Sequence, residues 1–237
     1  MATQPSAVLL PPGGQRILVI LAHPDDGESF CGGTMARLAA EGRDIHYLII
    51  TRGDKGSDDP DMTSERLSPI REEEQRQAAH VLGIQTVTFL EGYFDGAVEP
   101  TLALRQELTL HIRMRQPDVV FAFDPWKRYE IHPDHRAAGT CAFDAIAAAR
   151  GRLNYPEQLR DGLTAHKVKQ LYFFNTDQPN HWVDISEVID QKIEARCRHV
   201  SQIQPANHPS GYLRRWGAET GAAKGYAFAE AFHYYGL

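Results

Sequence analysis

The chain has 237 residues, of which 42% are apolar, and carries a net charge of −6. This length is sufficient to bury a full core, and the regular alternation of strand-like and helix-like segments predicts a single domain over 1–237. The negative charge and the lack of any Lys/Arg-rich run exclude nucleic acid as an expected partner, because phosphate binding needs clustered positive charge.

Cysteine usage and hydropathy exclude two further classes. Cys31, Cys141 and Cys197 are too few and too dispersed for a disulfide framework, which favours a reducing cytoplasm. Nothing approaches the about 20 apolar residues that a membrane span requires, and the start of the chain lacks the pattern of a signal peptide. We therefore predict a cytoplasmic protein with no membrane contact and a loose N-terminal arm over 1–15.

The first predicted strand, Ile17 to Leu21, is an apolar run without polar alternation, which is typical of a strand buried on both faces of a parallel sheet. His23, Asp25 and Asp26 follow it and place an imidazole and two carboxylates at the carboxyl end of the strand. Open α/β sheets bind ligands at that end. Taken alone, the same residues are also compatible with a turn and a helix N-cap.

Strands and helices alternate along the rest of the chain, which predicts a Rossmann-like α/β domain with a mostly parallel sheet flanked by helices. We expect helices over 34–41, 68–82, 102–114, 135–149 and 186–200, and further strands over 45–50, 86–90, 119–123, 170–174 and 181–185. Ser68 is the expected N-cap of the second helix, with Pro69 at its first position. Residues 51–61 are predicted to form a long loop over the strand ends. The segment 204–237, rich in Gly and aromatic residues, is interpreted as a cap or a subunit contact.

A second cluster of histidines and acids follows the predicted strand 119–123. Glu130, His132, Asp134 and His135 repeat the residue types of the first cluster. Two such clusters at two strand ends are difficult to explain as turns. We expect them to converge on one site.

The motifs Ala22-His23-Pro24-Asp25-Asp26 and His132-Pro133-Asp134-His135 together resemble the paired signature of the PIG-L/LmbE family of zinc-dependent N-deacetylases. The resemblance extends from Ile17 to about Ile203, and the closing segment 225–232 is similar to the usual end of the family. It implies an LmbE-like fold, a bound Zn²⁺ or another divalent ion, and a small-molecule partner that is an N-acyl amino sugar or glycoside. It also implies a homo-oligomer, which is common among bacterial relatives.

The resemblance implies that His23, Asp26 and His135 are the metal ligands. Three protein ligands with a fourth position for water are typical of hydrolytic zinc sites. Asp25 is then the expected general base, which takes a proton from water as it attacks the amide.

Four other residues are matched to roles by the same resemblance. His132 is expected to stabilise the tetrahedral oxyanion or to protonate the leaving amine, with Asp134 holding its ring. Arg71 and Asp95 are expected to contact the substrate. The structural alternatives are a His132 that only orients its loop, a solvated Arg71 at a helix end and an Asp-Gly turn at Asp95.

Two positions depart from the usual family pattern. Gly27 follows the Asp pair, so that the acid of the motif is Glu28, one position later. Glu130 occupies the place at which some relatives carry a catalytic tyrosine. The sequence leaves the roles of Glu28 and Glu130 open.

The motifs favour an enzyme that removes an acyl group, such as acetyl, from an N-acyl amino sugar such as an N-acetylglucosamine derivative. A non-catalytic metal- or sugar-binding protein of the same fold is the alternative, although such a protein has no use for a base beside a complete ligand set. A nucleotide-binding Rossmann enzyme is disfavoured, because no Gly-x-Gly-x-x-Gly follows the first strand.

Overall fold

A computed structural model describes residues 15–237, apart from the side chain of Pro205. Its strands are β1 (Arg16–Leu21), β2 (Asp44–Ile49), β3 (Thr86–Phe89), β4 (Val119–Phe123), β5 (Gln170–Phe174), β6 (His181–Asp184) and β7 (Ala229–Gly236). Its α-helices are α1 (Asp26–Phe30), α2 (Gly32–Ala40), α3 (Ser64–Val81), α4 (Leu102–Arg115), α5 (Pro133–Ala149), α6 (Pro156–Arg160), α7 (Ile189–Arg196) and α8 (Pro209–Ala222). None of the helices in this part of the chain is both long and apolar enough to cross a bilayer.

The strands form one sheet in the order β3-β2-β1-β4-β5-β7-β6. Strands β1 to β5 pair in parallel, whereas β7 runs antiparallel to both β5 and β6. The predicted fold class, a Rossmann-like α/β domain with a mostly parallel sheet, is therefore confirmed. Of the predicted arm 1–15, only Gln15 lies within the described residues, and its backbone amide donates to Asp118 over 3.2 Å.

The core explains the apolar runs of the sequence. All residues of β4 are buried, as are all residues of β1 except Arg16, because helices cover both faces of the parallel sheet. The chain passes from β1 to β2 and β3 on one side and later returns to β4 and β5 on the other. The order therefore reverses between β1 and β4, and at such a switch point the loops leaving the strand ends separate to form a crevice.

Helix α3 begins earlier than its sequence suggests. Thr63 is the N-cap, and its side chain accepts a hydrogen bond from the backbone amide of Arg66. Pro69 consequently lies inside the helix, where it removes one intrahelical hydrogen bond. The assignment of Ser68 as the N-cap was wrong, because a Ser-Pro pair resembles a helix start even where an earlier cap is available.

The closing segment is part of the sheet. Strand β7 pairs with β5 on one side and β6 on the other, and α8 packs against β7 and α7. The interpretation of 204–237 as a cap or subunit contact omitted this strand. Its pattern of buried and half-buried residues lacks the continuous apolar run that identified the parallel strands.

Glu230 of β7 anchors this strand to the start of α2. Its carboxylate accepts hydrogen bonds from the backbone amides of Gly33 and Thr34 over 2.9 and 2.7 Å, and from the Thr34 hydroxyl over 2.5 Å. Lys192 of α7 donates to the same carboxylate over 2.6 Å. The first turn of α2 has free amide groups and a positive end, and a buried carboxylate satisfies both.

Replacing Glu230 should therefore destabilise the fold. Glu230→Ala leaves the ammonium group of Lys192 buried without its partner, and we expect the free energy of unfolding to fall by about 3–5 kcal/mol. Urea denaturation measures the change, with the exposed Glu187→Ala as the matched control. A loss below about 1 kcal/mol, typical of surface substitutions, would contradict the anchoring role.

Candidate metal centre

The two His/Asp clusters meet at the switch point between β1 and β4. The imidazole centroids of His23 and His132 lie 4.4 Å apart, those of His23 and His135 5.3 Å, and those of His132 and His135 4.6 Å. His23 follows β1, whereas His132 is the N-cap of α5 and His135 lies in the first turn of that helix. The expected convergence of the two clusters is found.

The backbone at Asp25 separates the directions of two adjacent carboxylates. Asp25 has a φ of 90°, a left-handed conformation that is uncommon and strained for a residue with a side chain. Asp26 begins α1, and its Oδ2 atom accepts hydrogen bonds from the backbone amides of Ala22 and His23 over 3.1 and 2.7 Å. Asp25 instead turns toward Arg196 and Arg71. The pair can therefore divide two roles between them.

Asp26 lies between His23 and His135, the two other metal ligands that the family resemblance implies. Its Oδ2 atom is 3.6 Å from Nδ1 of His23, and its Oδ1 atom is 3.4 Å from Nε2 of His135. The opposite ring nitrogens are also occupied: Nε2 of His23 is 2.9 Å from Asp134, and Nδ1 of His135 is 3.3 Å from Glu130. Each of these two imidazoles thus has one nitrogen toward Asp26 and the other toward a supporting carboxylate, an arrangement characteristic of metal-binding histidines.

Two other combinations of His and Asp side chains bring their donor atoms close together. Within the described chain, two sets have all their donor atoms within 4.8 Å of one another: His23 with His132 and His135, and His23 with Asp95, His132 and Asp134. Asp26 belongs to neither set. The expected ligands His23, Asp26 and His135 therefore do not form one such set, although Asp26 lies within 3.6 Å of a ring nitrogen of each histidine. His132 differs from the other two histidines because its Nδ1 atom is buried and has no hydrogen-bond partner among residues 15–237. Among the described residues, no carboxylate supports this nitrogen as Asp134 and Glu130 support the rings of His23 and His135.

The centre is rich in buried negative charge. Burial lowers the pKa of His23, but hydrogen bonds with Asp134, Asp26 and Asp95 outweigh this effect and raise the pKa well above its usual value. Burial raises the pKa of Asp26, but the charge and hydrogen bond of His135 and the hydrogen bond of His23 bring it below its usual range. These carboxylates are therefore ionised near neutral pH, and the site attracts a cation.

Asp134 contacts a different histidine from the one expected. Its Oδ2 atom lies 2.9 Å from Nε2 of His23, and the backbone amides of Gly96 and Val98 donate to the same carboxylate over 2.7 and 3.1 Å. The expectation that Asp134 holds the ring of His132 was wrong. Asp134 is the first-turn acid of α5, fully buried, and from that position it faces the end of β1.

Arg71 and Asp95 both lie at the centre. The guanidinium of Arg71 donates to the carbonyl oxygens of Gly53 and Pro24 over 2.9 and 2.7 Å, and only 3% of the residue is exposed. A solvated helix-end arginine is therefore excluded. Asp95 lies 3.2 Å from Nε2 of His23 and 3.9 Å from Nε2 of His132, so it is more than a turn residue.

Asp25 has partners that its sequence context did not reveal. Nη2 of Arg196, from α7, donates to its Oδ2 atom over 3.1 Å, and Nη2 of Arg71 lies 3.5 Å from the same atom. The side chain of Gln75 accepts a hydrogen bond from the backbone amide of Asp25 over 2.9 Å and donates to Glu28 over 2.9 Å. One oxygen of the expected general base is therefore engaged by arginine side chains.

Glu28 and Glu130, whose roles the sequence left open, both contact residues that surround the centre. Glu28 is fully buried and lies 3.2 Å from Nε2 of His199 in addition to its contact with Gln75. Glu130 contacts His135 and also accepts hydrogen bonds from Asn175 over 2.8 Å and from the backbone amide of His132 over 3.3 Å. Neither acid is in the inner group of donors.

A cavity of about 340 Å³, here called the metal-site cavity, opens beside the centre. Its lining combines the centre with residues of α7 and α8 and the segment before α8: Asp25, Asp26, Ser29, Phe30, His135, Arg196, Asn207, Tyr212, Arg215 and Trp216. A small molecule entering it would reach Asp25 and His135 from one side and the aromatic side chains of α8 from the other.

Comparison with known proteins identifies the family. The family model described as PIG-L, GlcNAc-PI de-N-acetylase, matches residues 18–146. The chain belongs to the PIG-L family. The resemblance found in the sequence is confirmed, and with it the predicted class of enzyme, a metal-dependent N-deacetylase.

Similar PIG-L relatives cover most of the chain. Diacetylchitobiose deacetylase of Thermococcus kodakarensis is 34% identical over 93% of this chain and 83% of the relative. A probable N-acetyl-alpha-D-glucosaminyl L-malate deacetylase of Bacillus anthracis is 29% identical over 79% of this chain and 81% of the relative. The solved structure of N,N'-diacetylchitobiose deacetylase from Pyrococcus horikoshii, in complex with an inhibitor, has a TM-score of 0.90 and 31% identity, covering 94% of this chain and 84% of that one.

The contact between Glu130 and His135 predicts an effect on metal affinity. Glu130→Ala removes the carboxylate that orients the His135 ring, and we expect the dissociation constant of Zn²⁺ to rise by about 10- to 100-fold. Competition with a chromophoric chelator measures it. Glu130→Gln keeps an acceptor oxygen and should lose less affinity. Wild-type affinity in the alanine variant would contradict the contact's importance.

Proposed function

We propose that this protein is a zinc-dependent hydrolase that removes the acyl group, most simply acetyl, from the amide nitrogen of an N-acyl amino sugar or glycoside. One observation carries the proposal. Asp26 lies between the imidazoles of His23 and His135, and each of these rings has a second carboxylate at its other nitrogen. The adjacent Asp25 is turned away from the two rings, and both aspartates line the metal-site cavity. The relatives' activities on N-acetyl amino sugars support the substrate class.

The residues present fit a zinc ion. His23, Asp26 and His135 would hold it, because two imidazoles and one carboxylate are a common ligand set of catalytic zinc. When bound, zinc polarises the amide carbonyl and lowers the pKa of a water molecule. His132 is the less suitable ligand, since its Nδ1 atom has no supporting partner in the part of the chain that the structure describes.

Asp25 is proposed as the general base. Arg196 and Arg71 both approach its Oδ2 atom, and among residues 15–237 no hydrogen bond to Oδ1 is found. The arginines therefore fix the orientation of the carboxylate and leave Oδ1 available to accept a proton from water. The same carboxylate can later pass that proton to the leaving amine.

His132 is proposed to act on the acyl carbonyl or on the leaving nitrogen. Its side chain is 36% exposed, more than those of His23 and His135, so it is the member of the group most accessible to a substrate. An imidazole N–H directed at the developing oxyanion stabilises the transition state. Asp134 supports the reaction indirectly, through its contact with His23.

Arg71 and Asp95 are proposed to contribute to substrate binding at the rim of the centre. Diacetylchitobiose, and N-acetylglucosamine linked to malate, are candidate substrates by analogy with the relatives. A cytoplasmic location and a homo-oligomeric state stay predictions. A metal- or sugar-binding protein without turnover is the rival function, and the effect of replacing Asp25 on turnover separates the two.

The two functions differ in the outcome of Asp25→Asn. If Asp25 is the base, release of free amine from diacetylchitobiose by the zinc-loaded protein should fall by about 10²- to 10⁴-fold, while the zinc content is unchanged. Fluorescent labelling of the amine measures it, with the exposed Asp161→Asn as the matched control. Unchanged turnover in the Asn variant, or no amine release by the wild type from any N-acyl sugar, would reject the proposal.

His132 and His23 should respond differently to substitution. His132→Ala should lower kcat about 10²- to 10³-fold and retain one zinc per chain, because an oxyanion donor is lost but no ligand is. His23→Ala should lose the zinc itself. Elemental analysis and steady-state kinetics separate the two, with His80→Ala on the exposed face of α3 as the control. Loss of zinc from the His132 variant would make His132 a ligand.

A further inference from the structure

A second cavity adjoins the metal-site cavity along α8. It has a volume of about 270 Å³ and shares Ser29, Phe30 and Trp216 with the first. It continues along α8 to Thr220 and reaches β7 at Ala229–Ala231. The two cavities therefore adjoin along α8, and together they are here called the α8 groove, with Trp216 lining both.

Trp216 presents an aromatic face to this groove. The residue is 46% exposed, and the ring of Tyr212, one helical turn earlier, lies 4.9 Å away at an angle of 56°. An indole exposed at the edge of a cavity keeps apolar area in contact with water, and a ligand that covers it gains the free energy of that area. The apolar C–H face of a sugar ring is suited to packing on such a surface.

The polar groups of the groove suit a ligand with many hydroxyl groups. The side chains of Asn207, Arg215 and Thr220 have no hydrogen bond or ion pair with the chain between residues 15 and 237, so their polar atoms are available to a ligand. Lys192 and Glu230 border the second cavity but neutralise each other across 2.6 Å. An aromatic platform beside polar groups that can donate and accept hydrogen bonds suits a sugar ring, which offers both an apolar face and hydroxyl groups.

We propose that the α8 groove binds the second ring of an N-acyl amino-sugar oligosaccharide, with Trp216 as the platform between the ring that is deacylated and its neighbour. The proposal rests on the proposed function for the position of the reacting amide in the metal-site cavity. The substrate class is then a chain of at least two sugar rings. A single N-acetylated monosaccharide would fill only the metal-site cavity.

Binding measurements test the groove separately from turnover. Calorimetric titration of zinc-loaded protein carrying Asp25→Asn, which slows hydrolysis, gives dissociation constants for N-acetylglucosamine and diacetylchitobiose. We expect the disaccharide to bind at least about tenfold more tightly, a difference of about 1.4 kcal/mol. Added Trp216→Ala should reduce this preference at least about fivefold, and Trp216→Phe should restore most of it, because it retains an aromatic face.

Two further variants complete the test. Thr220→Trp places a large side chain in the second cavity and should also reduce the preference for the disaccharide. Tyr235→Ala removes an aromatic residue of similar exposure, 49%, outside the groove and should leave the preference unchanged. Equal binding of the two sugars by the parent protein, or an unchanged preference in both Trp216→Ala and Thr220→Trp, would overturn the proposal. A normal preference without any amine release by the wild type would instead reject the proposed function alone.

Discussion

The buried imidazole of His23 lies close to three carboxylates, and the rest of the site depends on this arrangement. Asp134, Asp95 and Asp26 approach its nitrogens to 2.9, 3.2 and 3.6 Å. Buried carboxylates are costly unless hydrogen bonds or positive charges compensate them. Backbone amides from two separate segments, 22–23 and 96–98, supply part of the compensation, and a bound cation would supply more.

The fold makes this arrangement possible through the adjacency of β1 and β4. Parallel strands direct both of their carboxyl ends to one edge of the sheet, and the reversal of strand order leaves a crevice there. The left-handed backbone of Asp25 then turns one acid toward the imidazoles and the other toward two arginines. Strain at this residue is offset by the hydrogen bond of its amide to Gln75, which is itself held by Glu28.

The sequence predicted the parallel strands well, because continuous apolar runs identify strands that are covered on both faces; the bounds of β4 and β5 agree with the structure. It also predicted which histidines and acids meet, because their motifs follow two such strands.

The sequence could not predict the contact of Arg196 with Asp25, which joins positions 171 residues apart and has no local pattern. It missed α1, which has only five residues, and β7, whose half-buried side chains hide its period. The partner of Asp134 was misassigned because the neighbouring His132 is closer in sequence than His23.

We propose that one cation is held by His23, Asp26 and His135, and that the adjacent Asp25 does not bind it. The most direct measurement is a crystal structure of the zinc-loaded protein with anomalous diffraction recorded on both sides of the zinc absorption edge. We expect one anomalous peak that lies about 2.0–2.2 Å from one nitrogen of each of these two histidines and from an oxygen of Asp26. A peak bound by His132 in place of Asp26, a ligand bond from Asp25, or no peak at this site would contradict it.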